Sequence, residues 1–347
     1  MVGLKSVGVN LTPIIIKHIL QLENLEGKSL AVDANNYLYQ FLSLIRTRDG
    51  TPLKDSHGNI TSHLSGLMFR STRLIHDYNI DLIFVFDGKP PNLKQQEILK
   101  RQRLREKATR EYEEALKAKD YATAFSKAVM TSRLTKPLIE DAKHLLNLLG
   151  IPYVQAPSEA EAQTAYMAMK GDVWAASSKD YDALLFGAPK LLRYLTIYGR
   201  EFLPSKGTSR ALKPELIDLN NFLSSYKITR QQLIDLAILI GTDFNEGVKG
   251  IGPKTAMKLA KEYKKLENLP NNIQSKIPKN YEEIRKIFLN PETASNYNLE
   301  YGKLDEAALY ELLCDQRDFS RKNVETVVKR MRNFYQNKKR AGLEKWL

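Results

Sequence analysis

The chain has 347 residues, 43% of them hydrophobic, and a formal net charge of +13. This length allows one large core or two modest ones, and the positive balance favours a polyanionic partner, most commonly nucleic acid, although a ribosomal or chaperone-like basic protein also fits. The single Cys314 excludes a disulfide framework and a thiolate metal site, and Pro13 and Lys17 break the longest apolar run near the N-terminus, so we expect an intracellular protein without signal peptide or membrane span.

Strand-like and helix-like segments alternate through the first half of the chain. Candidate strands are KSLAVDA, IDLIFVFDG, IPYVQA, DVWAASS and KLLRYLTI, and helical patterns include NNYLYQFLSLIR, TSHLSGLMFRSTRLIHDY and KPLIEDAKHLLNLLG. The alternation predicts an α/β fold with a mostly parallel central sheet. From about Leu216 the pattern is mainly helical, and because no Ser/Gly-rich linker divides the chain we expect one compact unit.

Two acids, Asp33 and Asp87, each end an apolar strand-like segment. Ligands of open α/β sheets bind outside the carboxyl ends of the strands, so both acids lie where chemistry is expected. Each alone could instead be an ordinary turn residue, because an Asp side chain bonds nearby backbone N–H groups.

Five more acids stand at the ends of predicted elements: Glu159, Glu161, Asp180, Asp182 and Asp243. The first two begin a helical segment, where Ser158 and Glu161 also match a capping box. Residues two apart on a helix point about 200° apart, so this pair can share a common point only at the first turn. Asp180 and Asp182 share one side if their backbone is extended.

Turn and cap roles explain each acid separately, but they do not explain why seven acids stand at the ends of predicted elements. If they converge, their repulsion is severe, because two unit charges about 4 Å apart repel by roughly 4 kcal/mol at an effective dielectric constant of 20. Such a cluster requires cations, and carboxylate oxygens suit Mg²⁺ or Mn²⁺ far better than zinc. Two such ions are the standard device for phosphodiester hydrolysis. The acids therefore predict a two-metal site.

Positive charge is concentrated beside these acids. Residues 89–136 hold 13 Lys and Arg against 6 Asp and Glu, in a helix-permissive run that follows Asp87 directly and whose alternative interpretation is a solvated helix face. In GVKGIGPKTAMKLAKEY, Gly250 and Gly252 open a helix that carries Lys254 and Lys258. Backbone N–H groups at such a helix start bind phosphate without reading sequence, although a plain glycine turn between helices would look similar.

In their order along the chain, these segments resemble the structure-specific 5′ nucleases, most closely a flap endonuclease of the archaeal type. The matching stretches are VDANNYLYQFL, DGTPLKDSHGNITSHLSGL, FVFDGKPPNLK, IPYVQAPSEAEAQTAYMA, SSKDYDALLFG, ILIGTDFN and GIGPKTA, and NYNLEY and LLCDQRDFS extend the match to about residue 320. The resemblance implies a PIN-like fold around two Mg²⁺ ions, with Mn²⁺ as a substitute. It also implies cleavage of 5′ flaps, with 5′–3′ exonuclease activity, in Okazaki fragment maturation and repair, by a cytoplasmic, nucleoid-associated monomer.

The resemblance assigns roles to individual residues. The metal ligands would be Asp33, Asp87, Glu159, Glu161, Asp180, Asp182 and Asp243. Lys94 and Arg101, two helical turns apart, would contact the scissile phosphate. Tyr39 would stack on the terminal unpaired base, although core packing is the ordinary interpretation of a lone tyrosine. Other DNA contacts would come from Arg46, Arg70, Lys249, Gly250, Gly252, Lys254 and Lys258, the glycine motif acting through a bound K⁺.

The resemblance also implies the organisation of the chain. The nuclease core would cover residues 1–260, with a helical arch at about 90–135 and a helix-hairpin-helix-like motif at about 238–260. A helical part of the same unit would cover residues 261–335, and a tail that binds a sliding clamp would cover 336–347.

Two features depart from the family pattern. The family usually begins Met-Gly with that glycine near the active site, and here Gly8 resembles this start better than Gly3 does. The C-terminal tail keeps Leu343 and Trp346 of the clamp-binding peptide, with Arg340 in place of its glutamine and Leu347 in place of its last aromatic residue. A disordered basic end is the alternative interpretation of this tail.

Two other functions stay open on the sequence. One is a different nuclease of the superfamily, such as a 5′ exonuclease or a Holliday-junction resolvase, which relative rates on a flap, a nick and a four-way junction would distinguish. The other is a non-catalytic DNA-binding protein, which should have lost at least one of the carboxylates.

Overall fold

The computed structural model describes residues 8–47, 49–195, 199–203 and 208–344. The strands are β1 (His18–Ile19), β2 (Ser29–Asp33), β3 (Asp81–Phe86), β4 (Tyr153–Gln155), β5 (Ala175–Ser177), β6 (Lys190–Arg193), β7 (Gly199–Leu203), β8 (Thr208–Leu212), β9 (Glu215–Asp218), β10 (Gly241–Thr242) and β11 (Asn245–Glu246). Among these described strands, β7–β8 and β10–β11 form separate antiparallel ladders.

The α-helices come in three groups along the chain. The first group is α1 (Ala34–Leu44), α2 (Ser62–Gly66), α3 (Thr72–Tyr78), α4 (Gln95–Lys117), α5 (Tyr121–Thr131) and α6 (Lys136–Leu149). The second is α7 (Ala160–Lys170), α8 (Asp182–Leu185), α9 (Leu219–Tyr226), α10 (Arg230–Ile240) and α11 (Pro253–Tyr263). The last is α12 (Asn271–Gln274), α13 (Tyr281–Leu289), α14 (Glu306–Tyr310) and α15 (Arg321–Glu344). Shorter segments are 3₁₀ turns at Leu22–Leu25, Asn92–Lys94 and Leu266–Asn268 and π turns at Leu67–Ser71 and Glu311–Asp315.

The central sheet has the strand order β1-β9-β6-β5-β2-β3-β4. The five strands from β6 to β4 pair in parallel, and β9 and β1 add an antiparallel edge. Parallel pairing brings the carboxyl ends of β2, β3, β4 and β5 to one edge of the sheet. The predicted α/β class with a mostly parallel sheet is confirmed.

Helices cover both faces of the sheet, which is why its strands are apolar on both sides. Side chains alternate along β2: Leu30 and Val32 pack into one core cluster with α1, α3, α6 and α15, while Ala31 packs into another beside α7. A further cluster joins α8, α10, α11 and α13 beside β6 and β9. The mainly helical pattern predicted after Leu216 is confirmed by α9 to α15.

The basic run after Asp87 forms a helical hairpin of α4 and α5. These helices pack through small side chains, since Ala108 and Ala115 of α4 and Ala124 and Ala128 of α5 are buried. Lys127 of α5 also pairs with Glu111 of α4 at 2.6 Å. The exposed side of α4 carries Lys100, Arg103, Lys107 and Arg110 together with the apolar Ile98, Leu99 and Leu104. Within the described part of the chain, no helix is both long and apolar enough to cross a membrane.

Candidate active site

The acids predicted to bind metal follow four neighbouring strands at the same edge of the sheet. The strands β2, β3, β4 and β5 lead into Asp33, Asp87, the pair Glu159 and Glu161, and the pair Asp180 and Asp182, respectively. Asp243 reaches the same place from the turn between β10 and β11. Sequence order alone does not bring β5 beside β2; the parallel pairing of those two strands does.

Polar side chains join acids from different strands. Ser178 Oγ lies 3.3 Å from Asp33 Oδ2 and 3.1 Å from Glu161 Oε1. Asn36 donates its backbone N–H to Asp33 Oδ1 at 3.0 Å and its side-chain amide to Asp180 Oδ2 at 2.7 Å. The carboxylates after β2, β4 and β5 are therefore parts of one connected cluster.

The start of α7 differs from the predicted capping box. The N-cap residue is Glu159, not Ser158, and the Glu159 side chain accepts no hydrogen bond from the helix backbone. Instead Asp87 Oδ1 accepts the N–H of Ala160 at 2.7 Å. Asp87, the residue after β3, thus takes the place of a local cap. The side chains of Glu159 and Glu161 are therefore not used as caps and can face the cluster.

Asp180 and Asp182 are not on an extended backbone, as the sequence alone allowed. Asp182 is the first residue of α8, and a bend carries Asp180 just before it. The N–H of Val9 donates to Asp182 Oδ1 at 3.0 Å. The pair is therefore brought together by a turn and held by the N-terminal segment.

Gly8 lies against the acid cluster. Its N–H donates to Asp243 Oδ1 at 3.1 Å, its φ is +75°, and a Cβ built on it would lie 2.6 Å from Asp182 Oδ2. Both the left-handed backbone and the close approach require glycine here. Of the two glycines considered from the sequence, Gly8 is therefore at the site, and Gly3 lies outside the described residues.

Two cations from one segment meet the cluster. Lys94 ends the 3₁₀ turn before α4 and bonds Glu159, and its Nζ also lies 3.3 Å from Asp243 Oδ2. Arg101, two turns further on, donates to Asp243 Oδ1 at 2.7 Å. Lys94 thus lies directly before α4 and Arg101 within it, and both side chains point at the acids.

Burial and mutual repulsion shift the pKa values of the clustered acids. Burial, reinforced by neighbouring carboxylates, raises the pKa of Asp33 and of Glu161 well above the ordinary range. Burial and repulsion from Asp243 raise the pKa of Asp182 to about 8. Burial also opposes ionisation of Asp243, but Lys94 and Arg101 outweigh it and hold the pKa of that carboxyl below its usual value.

The chemistry of the cluster fits hard divalent cations. All seven predicted ligands are carboxylates, the oxygen donors such ions prefer, and their mutual repulsion is relieved only by positive charge. Among the described residues, no three acidic, His or Cys side chains stand as a ready ligand set around one point. Lys94 and Arg101 add positive charge beside Glu159 and Asp243.

Comparisons with known proteins agree with this geometry. The XPG N-terminal domain family matches residues 2–108 and the XPG I-region family matches residues 150–243. The chain is 47% identical to flap endonuclease 1 of Hyperthermus butylicus over 351 aligned residues, which cover 98% of this chain and 99% of the relative. The chain belongs to the flap endonuclease 1 family.

Solved structures extend the likeness to the fold. Flap endonuclease-1 from Methanococcus jannaschii superposes with a TM-score of 0.76 at 42% identity, over 95% of this chain and all of that one. The catalytic core of Rad2 in complex with DNA substrate has a TM-score of 0.68 at 23% identity, over 92% of this chain and 97% of that one. The fold is thus that of the flap endonuclease family, and the chain is a nuclease, a hydrolase that acts on DNA.

Three residues expected to meet DNA in a flap endonuclease lie around α1 and α2. Tyr39 is 37% exposed on α1 and therefore is not a core tyrosine. Arg46, just after α1, donates to the carbonyl of Gly50 at 2.6 Å and to Ser132 Oγ at 2.7 Å. Arg70 lies over the ring of Phe41, 5.5 Å from its centroid. Tyr39 thus has the exposure that base stacking needs, whereas Arg46 also holds the loop and the end of α5 together.

The glycine motif forms a helical hairpin of α10 and α11. Gly250 has φ +88°, Gly252 is the N-cap of α11, and a Cβ on either would meet nothing within 4 Å. Lys249, Lys254 and Lys258 are exposed around this open turn. The motif therefore presents unhindered backbone and three lysines on one surface.

The C-terminal tail is only partly described. Helix α15 continues to Glu344 and includes Leu343 in its backbone, whereas the side chain of Leu343 and all of Trp346 and Leu347 lie outside the description. The buried side chains of α15 end with Phe334. The clamp-binding residues therefore stay a prediction.

Reasoning from sequence missed the polar residues that organise the acids. Asn36 and Ser178 both touch two carboxylates, and Arg193 donates to the carbonyl of Lys179 at 2.7 Å beside Asp180. Only the closeness in sequence of Asn36 to Asp33 and of Ser178 to Asp180 could have signalled a role, and Arg193 had no such signal. A cleft of about 480 Å³ beside Glu159, lined by Lys89, Pro90, Leu93 and Lys286 among others, was not foreseen either.

Proposed function

We propose that this chain hydrolyses a phosphodiester bond near the base of single-stranded 5′ flaps in DNA, on two Mg²⁺ ions held by the seven carboxylates. The observation that carries the proposal is the convergence of these acids from four strand ends and one hairpin beside Lys94, directly before α4, and Arg101 of α4. Membership of the flap endonuclease 1 family supports the substrate. Mn²⁺ would substitute for Mg²⁺ because it prefers the same oxygen ligands.

Seven carboxylates would hold the ions. Asp33, Asp87, Glu159, Glu161, Asp180, Asp182 and Asp243 are the ligands, directly or through water. Bound there, the ions supply the positive charge that favours an attacking water and stabilises the leaving oxygen. Burial of the acids excludes bulk water, so the attack is confined to the phosphate placed against them.

Lys94 and Arg101 would bind the scissile phosphate. Both contact acids of the cluster, Lys94 at Glu159 and Asp243 and Arg101 at Asp243. A phosphate placed against these acids would lie beside both cations, which would stabilise its charge as the bond breaks. Arg101 of α4 and Lys94 of the turn before it would hold that phosphate over the carboxylates.

Other elements position the substrate. Exposed Tyr39 stacks on the terminal base once it unpairs, which is worth roughly 1–3 kcal/mol for any base. The α10–α11 hairpin holds duplex phosphates through Gly250, Gly252 and its lysines, with K⁺ at the open turn, and Arg46 and Arg70 add contacts on the other side. The basic α4–α5 hairpin receives the single-stranded flap. Specificity then comes from bending and free ends rather than base edges.

The cellular role follows from this substrate. We infer that the protein acts as a monomer in Okazaki fragment maturation and repair, in a cytoplasm where the chromosome is accessible. Its tail, through Leu343, Trp346 and Leu347, would bind the sliding clamp.

The decisive experiment is a digest of a double-flap DNA labelled at its 5′ end, with and without Mg²⁺. We expect Mg²⁺-dependent release of a product about as long as the flap, at a rate well above that on a nicked duplex or a four-way junction of the same sequence. Release of single nucleotides from the 5′ end alone would indicate an exonuclease, and preferred cleavage of the four-way junction would indicate a resolvase.

A further inference from the structure

Asn36 contacts two of the acids at once. Its backbone N–H donates to Asp33 Oδ1 at 3.0 Å and its Nδ2 donates to Asp180 Oδ2 at 2.7 Å. Asp33 ends β2, while Asp180 follows β5, the strand that pairs with β2. A single residue in the first turn of α1 therefore spans the ends of two neighbouring strands.

The orientation of the Asn36 amide is determined by its neighbours. An ionised carboxylate only accepts hydrogen bonds, so the NH₂ group of Asn36 must face Asp180 and its carbonyl oxygen must face away. That oxygen accepts a bond from Nε2 of Gln40, one helical turn further along α1. Gln40 thus holds the Asn36 amide in the one orientation that presents a donor to the acid.

Gln40 is a polar residue at a buried position. Its side chain is buried, and within the described part of the chain its Oε1 has no hydrogen-bond partner. A buried acceptor without a partner destabilises the folded state, and an apolar side chain of similar size at this position would avoid the loss. An apolar side chain would not supply the bond to Asn36, which is what the amide of Gln40 adds here.

We propose that Asn36 and Gln40 are positioning residues that hold the Asp33 and Asp180 carboxylates apart and correctly turned for metal ions. The proposal rests on the proposed metal-dependent function. Residues that hydrogen-bond metal ligands orient them, and loss of such a residue typically reduces metal affinity or activity 10- to 100-fold. Neither residue touches the reacting atoms, so both act through the acids.

The test compares three variants of helix α1 in the full chain. Asn36→Ala removes the donor to Asp180, and Gln40→Met removes the bond that orients Asn36 while keeping the volume. Ser43→Ala is the matched control, because its buried hydroxyl bonds Ser132 at 3.1 Å rather than any acid of the cluster. Mn²⁺ binding to the DNA-free protein is measured by calorimetry, together with the melting temperature without metal and the Mg²⁺ dependence of flap cleavage.

We expect Asn36→Ala to weaken Mn²⁺ binding by about tenfold or more, and Gln40→Met to weaken it by a smaller factor at an unchanged or raised melting temperature. High Mg²⁺ should restore most of the cleavage rate, and Ser43→Ala should bind Mn²⁺ like the wild type. If the wild type binds Mn²⁺ and both Asn36→Ala and Gln40→Met bind it equally well, the positioning role of Asn36 and Gln40 is overturned and the metal site stands. If the wild type does not bind Mn²⁺, the metal site and the positioning role are overturned together.

Discussion

Asp182 illustrates what a single residue contributes to this enzyme. It is buried, its pKa is raised to about 8, and it accepts the N–H of Val9 while Gly8 approaches its carboxylate closely. An isolated aspartate would not be stable as an anion in such a place. Its environment favours a cation partner, which is why its loss should affect catalysis far more than folding.

Replacing Asp182 or Asp180 by Asn should slow flap cleavage by about a hundredfold or more and leave flap binding nearly unchanged. A lost ligand weakens stabilisation of the transition state, whereas affinity comes mainly from phosphate contacts. Single-turnover cleavage and an electrophoretic binding assay in Ca²⁺ measure the two effects. Asp77→Asn, at an exposed acid of α3 paired with Arg73, is the control. Cleavage within tenfold of the wild type would contradict the assignment of these ligands.

Lys94→Ala and Arg101→Ala should each lower the single-turnover rate more than the affinity for flap DNA. Both side chains contact the Asp243 carboxylate, and in the proposed mechanism the scissile phosphate lies beside it, so their charge is most useful as the bond breaks. Lys100→Ala is the matched control, since Lys100 neighbours Arg101 but pairs with the exposed Glu246 at 3.0 Å. Equal losses of rate and affinity at Lys94 and Arg101 would mark them as ordinary electrostatic contacts.

At the scale of elements, the sheet supplies the acids of the site and the helical hairpins supply the cations. The sheet edge supplies fixed acids because the strands that lead into them are held in one parallel ladder. The α4–α5 and α10–α11 hairpins supply cations from outside this frame. The negative charge is thus held at buried strand ends, while the positive charge lies on exposed helices where it can meet a phosphate backbone.

The α10–α11 hairpin should bind duplex DNA without sequence preference. Lys254→Ala and Lys258→Ala should each weaken binding similarly for all duplex sequences and reduce the salt dependence of affinity by about one counterion, because each lysine neutralises about one phosphate. Affinities over a series of KCl concentrations give this slope. Lys276→Ala, at an exposed lysine outside α11, provides the control. A slope equal to that of the wild type in both α11 variants would exclude this face from the DNA contact.

At the scale of the whole molecule, α15 connects the core to the C-terminal tail. Val324, Val327 and Met331 bury one side of this helix in the core cluster that also contains residues of α1, and α15 packs there mainly against α3. The buried stretch ends at Phe334, and the remaining turns extend toward the residues predicted to bind the clamp. The catalytic core and the clamp tether should therefore be separable.

Deleting residues 340–347 should leave intrinsic flap cleavage unchanged and abolish its stimulation by the cognate sliding clamp. Among the described side chains of α15, none after Phe334 is buried, and the deletion removes Leu343 and Trp346, whose burial by a partner would drive docking. Cleavage rates with and without clamp, for intact and truncated enzyme, measure the effect. Equal stimulation of both proteins would show that the tether lies elsewhere.

The sequence by itself determined the elements and the chemistry, because both are local. Alternating apolar patterns predicted β2, β3 and α1, and an acid after each strand end predicted the type of site. The seven-residue spacing of Lys94 and Arg101 likewise predicted that both side chains point the same way, since a helix returns to the same face after two turns.

Only the tertiary structure decided which residues meet. Parallel pairing of β5 with β2 brings Asp180 next to Asn36, an Asp from β3 replaces Ser158 at the start of α7, and Gly8 rather than another glycine approaches the acids. These contacts join residues far apart in the chain, so no local pattern encodes them. They arise because burying the apolar faces of the sheet leaves one arrangement of strand order, and that order determines which side chains share an edge.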